Sequence, residues 1–378
     1  MNSIYMDETI TKAPLQDGVL TGLTFAVKDV FAVAGHKNSA GNPDWFRTHE
    51  ANAITAPVID QLLLHGATLK GLTHSDELMY SLNGENIHYG TPPNPLHADY
   101  IPGGSSSGSA SAAVERDFTI GTDTGGSIRV PSSYCGLYGI RPTHNALSLE
   151  GVIPLAPSFD TVGWMSTSSR VLKAVGDALL SDEVMEFTRV IADQQAWSFL
   201  NDEDRSLLEV VLGGLPIETK QITMPLAQWA NLFRTIQGIE IWKTHGEWVT
   251  ATKPTFAPAI AERFEWASSL DDAQYDELKI EQQHATAYLQ QQLGDSDVLV
   301  IPTTASVAPR KNASLEEVEA VRTKTMQLTC IAGLSGFPQI TVPVLRKDGL
   351  ALGVSFIANR GRDRSLLQLV DTYFGGAK

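Results

Sequence analysis

Two short segments rich in glycine and serine carry the residue types that acyl transfer requires. Residues 103–110 are GGSSSGSA, and residues 121–129 are GTDTGGSIR. In the second segment Ser127 follows two glycines, which leave a bare backbone that a substrate can approach closely. Successive N–H groups in residues 124–127 can converge on a developing oxyanion. The same pattern also fits an ordinary turn at the end of a strand, so it does not decide the role of Ser127 by itself.

A single lysine stands in an apolar run upstream of both segments. Lys28 is the only basic residue between Lys12 and His36. A lysine near a strand end usually extends its ammonium group to water. If it is buried instead, desolvation lowers its pKa from about 10.4. A neutral amine can then take a proton from a nucleophile through a serine hydroxyl.

Other nucleophile arrangements remain open at this point. Gly104-x-Ser106-x-Gly108 matches the nucleophile elbow of α/β-hydrolases, but that elbow follows a hydrophobic strand and residues 97–102 (HADYIP) are a poor strand. A Ser-His-Asp hydrolase needs one of the nine histidines near Ser106 or Ser127, and His144 and His74 are the least implausible candidates.

Composition limits the classes of function. With 378 residues, 43% of them hydrophobic, the chain can bury a sizeable core. The formal net charge of −15 disfavours nucleic acid and anionic membranes as partners. Two cysteines without CxxC or HExxH motifs predict no metal site, and no cofactor is expected. Residues 1–16 lack the apolar core of a secretory signal, and no apolar run is long enough for a bilayer, so we expect a cytoplasmic protein.

Alternating strand and helix patterns predict the elements that must position these residues. The expected strands are residues 20–33, 67–72, 118–121, 298–302, 339–344 and 352–358. The expected helices are one bearing Ile54, Val58, Leu62 and Leu63 that ends at Gly66, residues 168–181, most of residues 203–293, and a last helix with Asp363 as its N-cap. This order predicts an α/β domain with a buried mixed sheet. No repeat or linker divides the chain, so we expect a single domain over residues 1–378.

In its glycine- and serine-rich segments the chain resembles the amidase-signature serine hydrolases. Residues 103–114 (GGSSSGSASAAV) and 121–143 (GTDTGGSIRVPSSYCGLYGIRPT) carry the resemblance. Residues 26–30 (AVKDV) are similar to the lysine strand of that family, and further similar segments are residues 151–163, 297–303, 331–343 and 349–355. The resemblance implies a single α/β/α sandwich around a large mixed sheet. It also implies a signature core at about 20–165, a helical substrate-pocket region at about 200–295 and C-terminal strands and helix at 296–374.

The resemblance implies roles for individual residues. Ser127 becomes the nucleophile, Lys28 the catalytic lysine, and Ser105, after a cis peptide bond, the serine that bridges them. The implied oxyanion hole consists of the backbone N–H groups of Thr124, Gly125, Gly126 and Ser127. The residues expected to contact the substrate are Met79, Tyr80, Gly104 and Ser106.

Substrate and partners are expected by the same resemblance. Residues 234–268 resemble compact amidases that include indole-acetamide hydrolases, so we expect a small neutral carboxamide as substrate. A urea or carbamate substrate, the glutamine-using subunit of a tRNA amidotransferase, and a catalytically silent scaffold are the alternatives. The chain is short for the family and lacks its helical N-terminal extension, which leaves a monomer or a homodimer. Residues 110–120 are about two residues shorter than usual, which affects local loop shape.

Overall fold

Eleven strands join one mixed sheet in a computed structural model of the protein, which describes residues 3–215 and 218–376. In chain order the strands are Tyr5–Lys12 (β1), Thr24–Lys28 (β2), Thr68–Thr73 (β3), Phe118–Asp123 (β4), Tyr138–Arg141 (β5), Thr161–Ser166 (β6), Arg189–Asp193 (β7), Glu218–Ile222 (β8), Asp297–Pro302 (β9), Gln339–Leu345 (β10) and Ala351–Ala358 (β11). Their spatial order is β1-β3-β2-β4-β6-β5-β10-β11-β9-β7-β8.

Twelve α-helices accompany the sheet in the described residues. They are Pro43–Thr48 (α1), Pro57–Leu64 (α2), Ser107–Ala112 (α3), Arg129–Cys135 (α4), Ser169–Leu179 (α5), Gln194–Ser198 (α6), Asp202–Leu212 (α7), Leu226–Thr252 (α8), Pro258–Ser268 (α9), Tyr275–Gln292 (α10), Leu315–Ser335 (α11) and Asp363–Phe374 (α12). Short 3₁₀ turns at Glu77–Met79 and Asp272–Gln274 complete the list.

Neighbouring residues of β6 show that helices cover both faces of the sheet, because successive side chains of a strand point to opposite faces. Trp164 donates its indole N–H to the carbonyl of Leu172 in α5, at 2.9 Å. The adjacent Gly163 faces Ile128 at the start of α4, where an added Cβ would stand 2.8 Å from the Ile128 side chain. The expected α/β/α sandwich around a large mixed sheet is therefore confirmed.

Three parallel strands set the position of the candidate site. β2 lies between β3 and β4 and is parallel to both. Parallel strands end at the same edge of a sheet, so their carboxyl ends deliver Lys28, the segment after Thr73 and the turn after Asp123 to one place.

The expected strands and helices are found with shifted ends. The strand expected at 20–33 is β2 and stops at Lys28, because Val30 and Phe31 donate their N–H groups to the Lys28 carbonyl in a turn. Ile54 is 51% exposed and lies before α2, which Pro57 begins. The tight loop expected to feed a buried helix is found at α3, whose residues are all buried.

Two expectations need correction. Asp363 is not the N-cap of α12: its carboxylate accepts hydrogen bonds from the backbone N–H and the hydroxyl of Thr143, both at 2.6 Å, and so ties α12 to the end of β5. The sequence reasoning also missed β1, β5, β6, β7 and β8. β1 was missed because its sequence is polar, it lies at the sheet edge, and its burial does not alternate cleanly along the strand.

Candidate active site

Lys28 is a fully buried lysine at the carboxyl end of β2. Burial lowers the pKa of its amine to about 7, and the negative charges of Asp76, Asp123 and Asp160 limit the fall. An amine with this pKa is partly neutral at neutral pH, so it can accept a proton from a hydroxyl group.

Ser105 and Ser127 form a hydrogen-bonded chain with the amine of Lys28. Lys28 Nζ is 2.8 Å from Ser105 Oγ, and Ser105 Oγ is 3.1 Å from Ser127 Oγ. The peptide bond between Gly104 and Ser105 is cis, as the resemblance implies. All three side chains are buried. The structure therefore brings together the three residues expected to form the triad, in an unbroken hydrogen-bonded chain.

Asp123 holds the turn that carries Ser127. Its carboxylate accepts hydrogen bonds from the N–H groups of Gly126 and Ile128, at 3.1 and 3.0 Å. It also pairs with the buried guanidinium groups of Arg129 and Arg141. Burial alone would raise the pKa of Asp123, but these cations and hydrogen bonds outweigh it and hold the pKa well below its usual range. The carboxylate therefore stays ionised and fixes the conformation of the turn.

The backbone of the turn offers candidate oxyanion donors, with one change from the expectation. The N–H group of Gly126 is directed to Asp123 and is already paired. Its φ of 129° lies in a region that glycine adopts and other residues avoid. Thr124, Gly125 and Ser127 remain as the candidate donors, and Gly126 instead shapes the turn.

A small cavity of about 20 Å³ opens at Ser127. Met79 and Tyr80, the residues expected to contact the substrate, line it together with Gly125, Gln237 and Arg322. Leu78 and Met79 both adopt a positive φ, which is uncommon for residues other than glycine.

Gly104 and Ser106 do not line this cavity. A Cβ on Gly104 would collide with the carboxylate of Asp76, so glycine is required there for close packing. The Ser106 hydroxyl is buried and donates to the carbonyl of Thr122 at 3.1 Å. The geometry therefore gives both residues a place behind the site rather than in contact with a substrate.

Neither His144 nor His74 is positioned to act as a base for Ser106 or Ser127. His144 lies 2.9 Å through its Nε2 from the carbonyl of Pro157. His74 is buried with neither ring nitrogen hydrogen-bonded, and burial together with the charge of Lys28 lowers its pKa to about 4. Within residues 3–215 and 218–376, neither imidazole forms a hydrogen bond with Ser106 or Ser127.

Several residues of the site carried no signal in the sequence. Thr122 Oγ1 lies 3.0 Å from Lys28 Nζ, inside a segment whose glycines and Ser127, but not Thr122, indicated acyl transfer. Asp76 accepts hydrogen bonds from Ser107 Oγ and the Gly84 N–H and so supports the loop that holds Ser105. Arg322 is distant in sequence from Ser127, and no spacing rule could connect them.

The described residues hold neither a metal-binding cluster nor a membrane-spanning helix. They contain no group of three or more His, Cys, Asp or Glu side chains able to hold a metal ion. No helix among them is both long enough and apolar enough to cross a membrane.

Known proteins are similar to this chain over most of its length. A sequence model of the Amidase family matches residues 5–213 and 206–367. Amidase 1 of Arabidopsis thaliana is 40% identical over 93% of this chain and 92% of its own length. The translocon at the outer membrane of chloroplasts 64 of Pisum sativum is 34% identical over 94% of this chain and 66% of its own length.

Structural comparison gives the same result. A crystal structure of an amidase superposes with a TM-score of 0.83 at 26% identity and covers 93% of this chain and 84% of that one. The match to the family model, the identity to Amidase 1 and the shared fold lead to one conclusion: this chain belongs to the amidase family, with the amidase-signature fold, and is an amidase.

Proposed function

We propose that the chain hydrolyses a small carboxamide to a carboxylate and ammonia or an amine, through an acyl-enzyme on Ser127. The observation that carries the proposal is the buried chain from Lys28 Nζ through Ser105 Oγ to Ser127 Oγ, with separations of 2.8 and 3.1 Å. It joins a partly neutral amine to a nucleophile through one hydroxyl relay, as a serine amidase without a catalytic histidine requires.

In the acylation step Ser127 Oγ attacks the carbonyl carbon of the amide. Its proton passes to Ser105 Oγ while the Ser105 proton passes to the lone pair of neutral Lys28. The carbonyl π electrons move to oxygen, and the N–H groups of Thr124, Gly125 and Ser127 stabilise the resulting oxyanion. As the C–N bond breaks, the proton returns from Lys28 through Ser105 to the leaving nitrogen.

In the deacylation step water takes the place of the leaving amine. Neutral Lys28 accepts its proton through Ser105, the oxygen of water bonds to the acyl carbon, and the ester bond to Ser127 breaks. The proton returns from Lys28 through Ser105 to Ser127 Oγ and restores its hydroxyl. The carboxylic acid product leaves and loses its own proton to solvent, which gives the carboxylate. Each step uses the same buried relay, so no other general base is required.

The machinery is compatible with two alternatives. A urea or carbamate presents the same carbonyl to Ser127 and would react by the same steps. A catalytically silent scaffold is the other alternative, but the intact chain of three side chains speaks against it. In this proposal the group that Ser127 attacks is an uncharged carboxamide.

We also propose that the chain acts as one amidase domain in the cytoplasm, as a monomer or homodimer. Strands from both halves of the chain share one sheet, which supports a single domain. Cys135 and Cys330 are free thiols, as is usual in a reducing compartment. Relatives include a protein of the chloroplast outer membrane, so fractionation of the expressed protein between membrane and supernatant tests the location.

Covalent labelling tests the proposed nucleophile. We expect a fluorophosphonate to label the protein at Ser127, and Ser127→Ala to lose both labelling and amide turnover while its circular dichroism spectrum stays unchanged. Ser106→Ala is the matched control, because Ser106 is also buried but lies outside the relay. Unreduced labelling of Ser127→Ala with the label on Ser106 would contradict the proposal and favour the elbow arrangement.

A further inference from the structure

A cavity of about 500 Å³ lies toward the β8 edge of the sheet, away from Ser127. Strands β7, β8 and β9 form its floor, and α6 and α7 cover it. β9 stands five strand spacings from β4, or about 24 Å at about 4.8 Å each. The residues that line it are all different from those at the Ser127 cavity. Small-molecule sites have volumes of about 300–1,000 Å³, so this separate space is large enough for an organic ligand.

The floor of this cavity is a row of neighbouring residues on three parallel strands. Ala192 of β7 pairs with Val300 of β9 on one side and with Gln221 of β8 on the other. Paired side chains point to the same face of a sheet. Ala192 is partly exposed although β7 is an interior strand, whereas Ile191, which points to the opposite face, is fully buried. The face that carries Ala192 is therefore open to the cavity, because a methyl group fills little of the space under the helices.

The walls of the cavity are apolar. Leu212, which ends α7, and Leu215 line it, as does the indole of Trp197 in α6. Trp197 donates its indole N–H to the carbonyl of Val300 at 3.1 Å, which fixes the ring above the floor. All three wall residues are only partly buried, so they leave apolar surface in contact with water. A ligand with an apolar group gains free energy by covering that surface.

Two side chains of opposite charge also line the cavity. Arg205 and Glu209 lie one turn apart on α7, on the same side of the helix. Arginine before glutamate is the less favourable order for a pair at this spacing, and in the described residues neither side chain forms an ion pair. The Arg205 Nε is buried and has no hydrogen-bond partner, which costs free energy unless a ligand binds it. The cavity therefore offers one positive and one negative group beside an apolar wall.

An α-amino acid matches these three features in one small molecule. Its carboxylate suits the planar guanidinium of Arg205, because two parallel N–H···O bonds can form. Its ammonium group complements the carboxylate of Glu209. A simple organic acid would bring a second negative charge beside Glu209, and a simple amine would leave the Arg205 donor unpaired. A zwitterion avoids both costs.

We propose that this cavity is a second binding site, separate from the Ser127 site, for an α-amino acid with a large apolar side chain. Arg205 binds the carboxylate of the ligand, and Glu209 binds its ammonium group. The side chain of the ligand lies over Ala192 and against Trp197. This binding does not depend on the chemistry at Ser127.

Calorimetric titration of the full chain tests the class of ligand. L-Phenylalanine is compared with 3-phenylpropionate, which lacks the ammonium group, with 2-phenylethylamine, which lacks the carboxylate, and with glycine, which lacks the apolar side chain. We expect each loss to raise Kd by about 10-fold or more, the effect of one hydrogen bond to a charged group or of one large apolar side chain. Equal Kd values for L-phenylalanine and either charge-deficient analogue would overturn the proposal. Absence of binding by L-phenylalanine, L-leucine and L-tryptophan alike would also overturn it.

Variants of α7 assign each charged contact to a residue. Arg205→Met should raise Kd for L-phenylalanine by about 10-fold or more and remove its advantage over 2-phenylethylamine. Glu209→Gln should do the same relative to 3-phenylpropionate. Glu203→Gln in the first turn of α7 and Arg170→Met on the exposed side of α5 remove the same charges outside the cavity and should leave Kd unchanged. A wild-type Kd in Arg205→Met would contradict the assignment.

A substitution in the floor tests the location of the ligand. Ala192→Leu places a larger side chain in the cavity and should abolish binding of L-phenylalanine, whereas Ser127→Ala should keep the wild-type Kd. Binding unchanged in Ala192→Leu, or weakened equally in Ser127→Ala, would place the ligand elsewhere and overturn the proposal. Circular dichroism reports whether Ala192→Leu folds. If it does not, the Kd values of Arg205→Met and Glu209→Gln decide, because both substitutions lie on a surface helix.

Discussion

The carboxylate of Asp123 and the guanidinium of Arg129 form two hydrogen bonds, of 2.7 and 3.0 Å, with both side chains excluded from solvent. Arg129 Nη1 also donates hydrogen bonds to the carbonyl of Thr329 and to the side-chain oxygen of Gln339, each at 2.7 Å. The turn that carries Ser127 is thus fixed to α11 and β10 through a single buried cation.

Asp123→Asn tests how much the ion pair between Asp123 and Arg129 contributes to the free energy of unfolding. The amide cannot neutralise Arg129 and Arg141, which would remain buried with uncompensated charge. Removing one partner of a buried ion pair typically costs about 3–5 kcal/mol, so we expect a loss of that order in the free energy of unfolding, measured by urea denaturation. Asp272→Asn is the control: its side chain is 64% exposed, and its pair with Lys243 is worth about 1 kcal/mol or less. Equal losses in the two variants would contradict this role.

Thr122→Val tests the control of the Lys28 pKa. Thr122 Oγ1 accepts a hydrogen bond from Lys28 Nζ at 3.0 Å, which favours the protonated amine. Its removal should lower the pKa of Lys28 further, so the acidic limb of the kcat/KM profile should move to lower pH by about one unit or less, the equivalent of one ordinary hydrogen bond. Thr119→Val is a matched control in the same strand, because the Thr119 hydroxyl is buried without a hydrogen-bond partner. A shift to higher pH in Thr122→Val would contradict the assignment.

Gly126→Ala tests the shape of the turn before the nucleophile. A side chain there meets an unfavourable φ of 129° and stands 3.0 Å from the methyl group of Thr329. Strain of this kind costs about 1–3 kcal/mol, and the displaced Ser127 should lower kcat by about 10²-fold or more. Gly213→Ala provides the control, since its nearest neighbour would be 3.4 Å away and its φ of −61° is helical. Activity of Gly126→Ala within about threefold of wild type would show that the turn tolerates a side chain.

Local sequence patterns predicted the two segments of the candidate site because their geometry is itself local. Ser127 follows its two glycines directly, and α3 follows its serine loop within the same segment. The parallel strands then bring Lys28 to the same edge of the sheet, as their alternation with helices suggested. The α/β layering and the position of the relay could therefore be predicted from the sequence.

Contacts between distant segments could not be predicted in this way. The paired amide of Gly126 depends on the rotamer of Asp123, and the close fit of Gly104 depends on Asp76. The edge strand β8 and its neighbour β7 have short, mixed patterns that periodicity alone does not separate from loops.

The most direct test of the central claim is the acylation rate as a function of pH for wild type and Lys28→Ala. Because the base must be neutral and the pKa of Lys28 is about 7, the wild-type rate should rise with pH through that value and level off above it. Lys28→Ala should lose about 10²–10⁴-fold in rate together with this pH dependence, and Lys28→Arg should not restore it, since guanidinium stays protonated. His144→Ala should keep the wild-type profile. If Lys28→Ala retained more than about a tenth of the wild-type rate, well above what loss of a general base allows, Lys28 would not be the base.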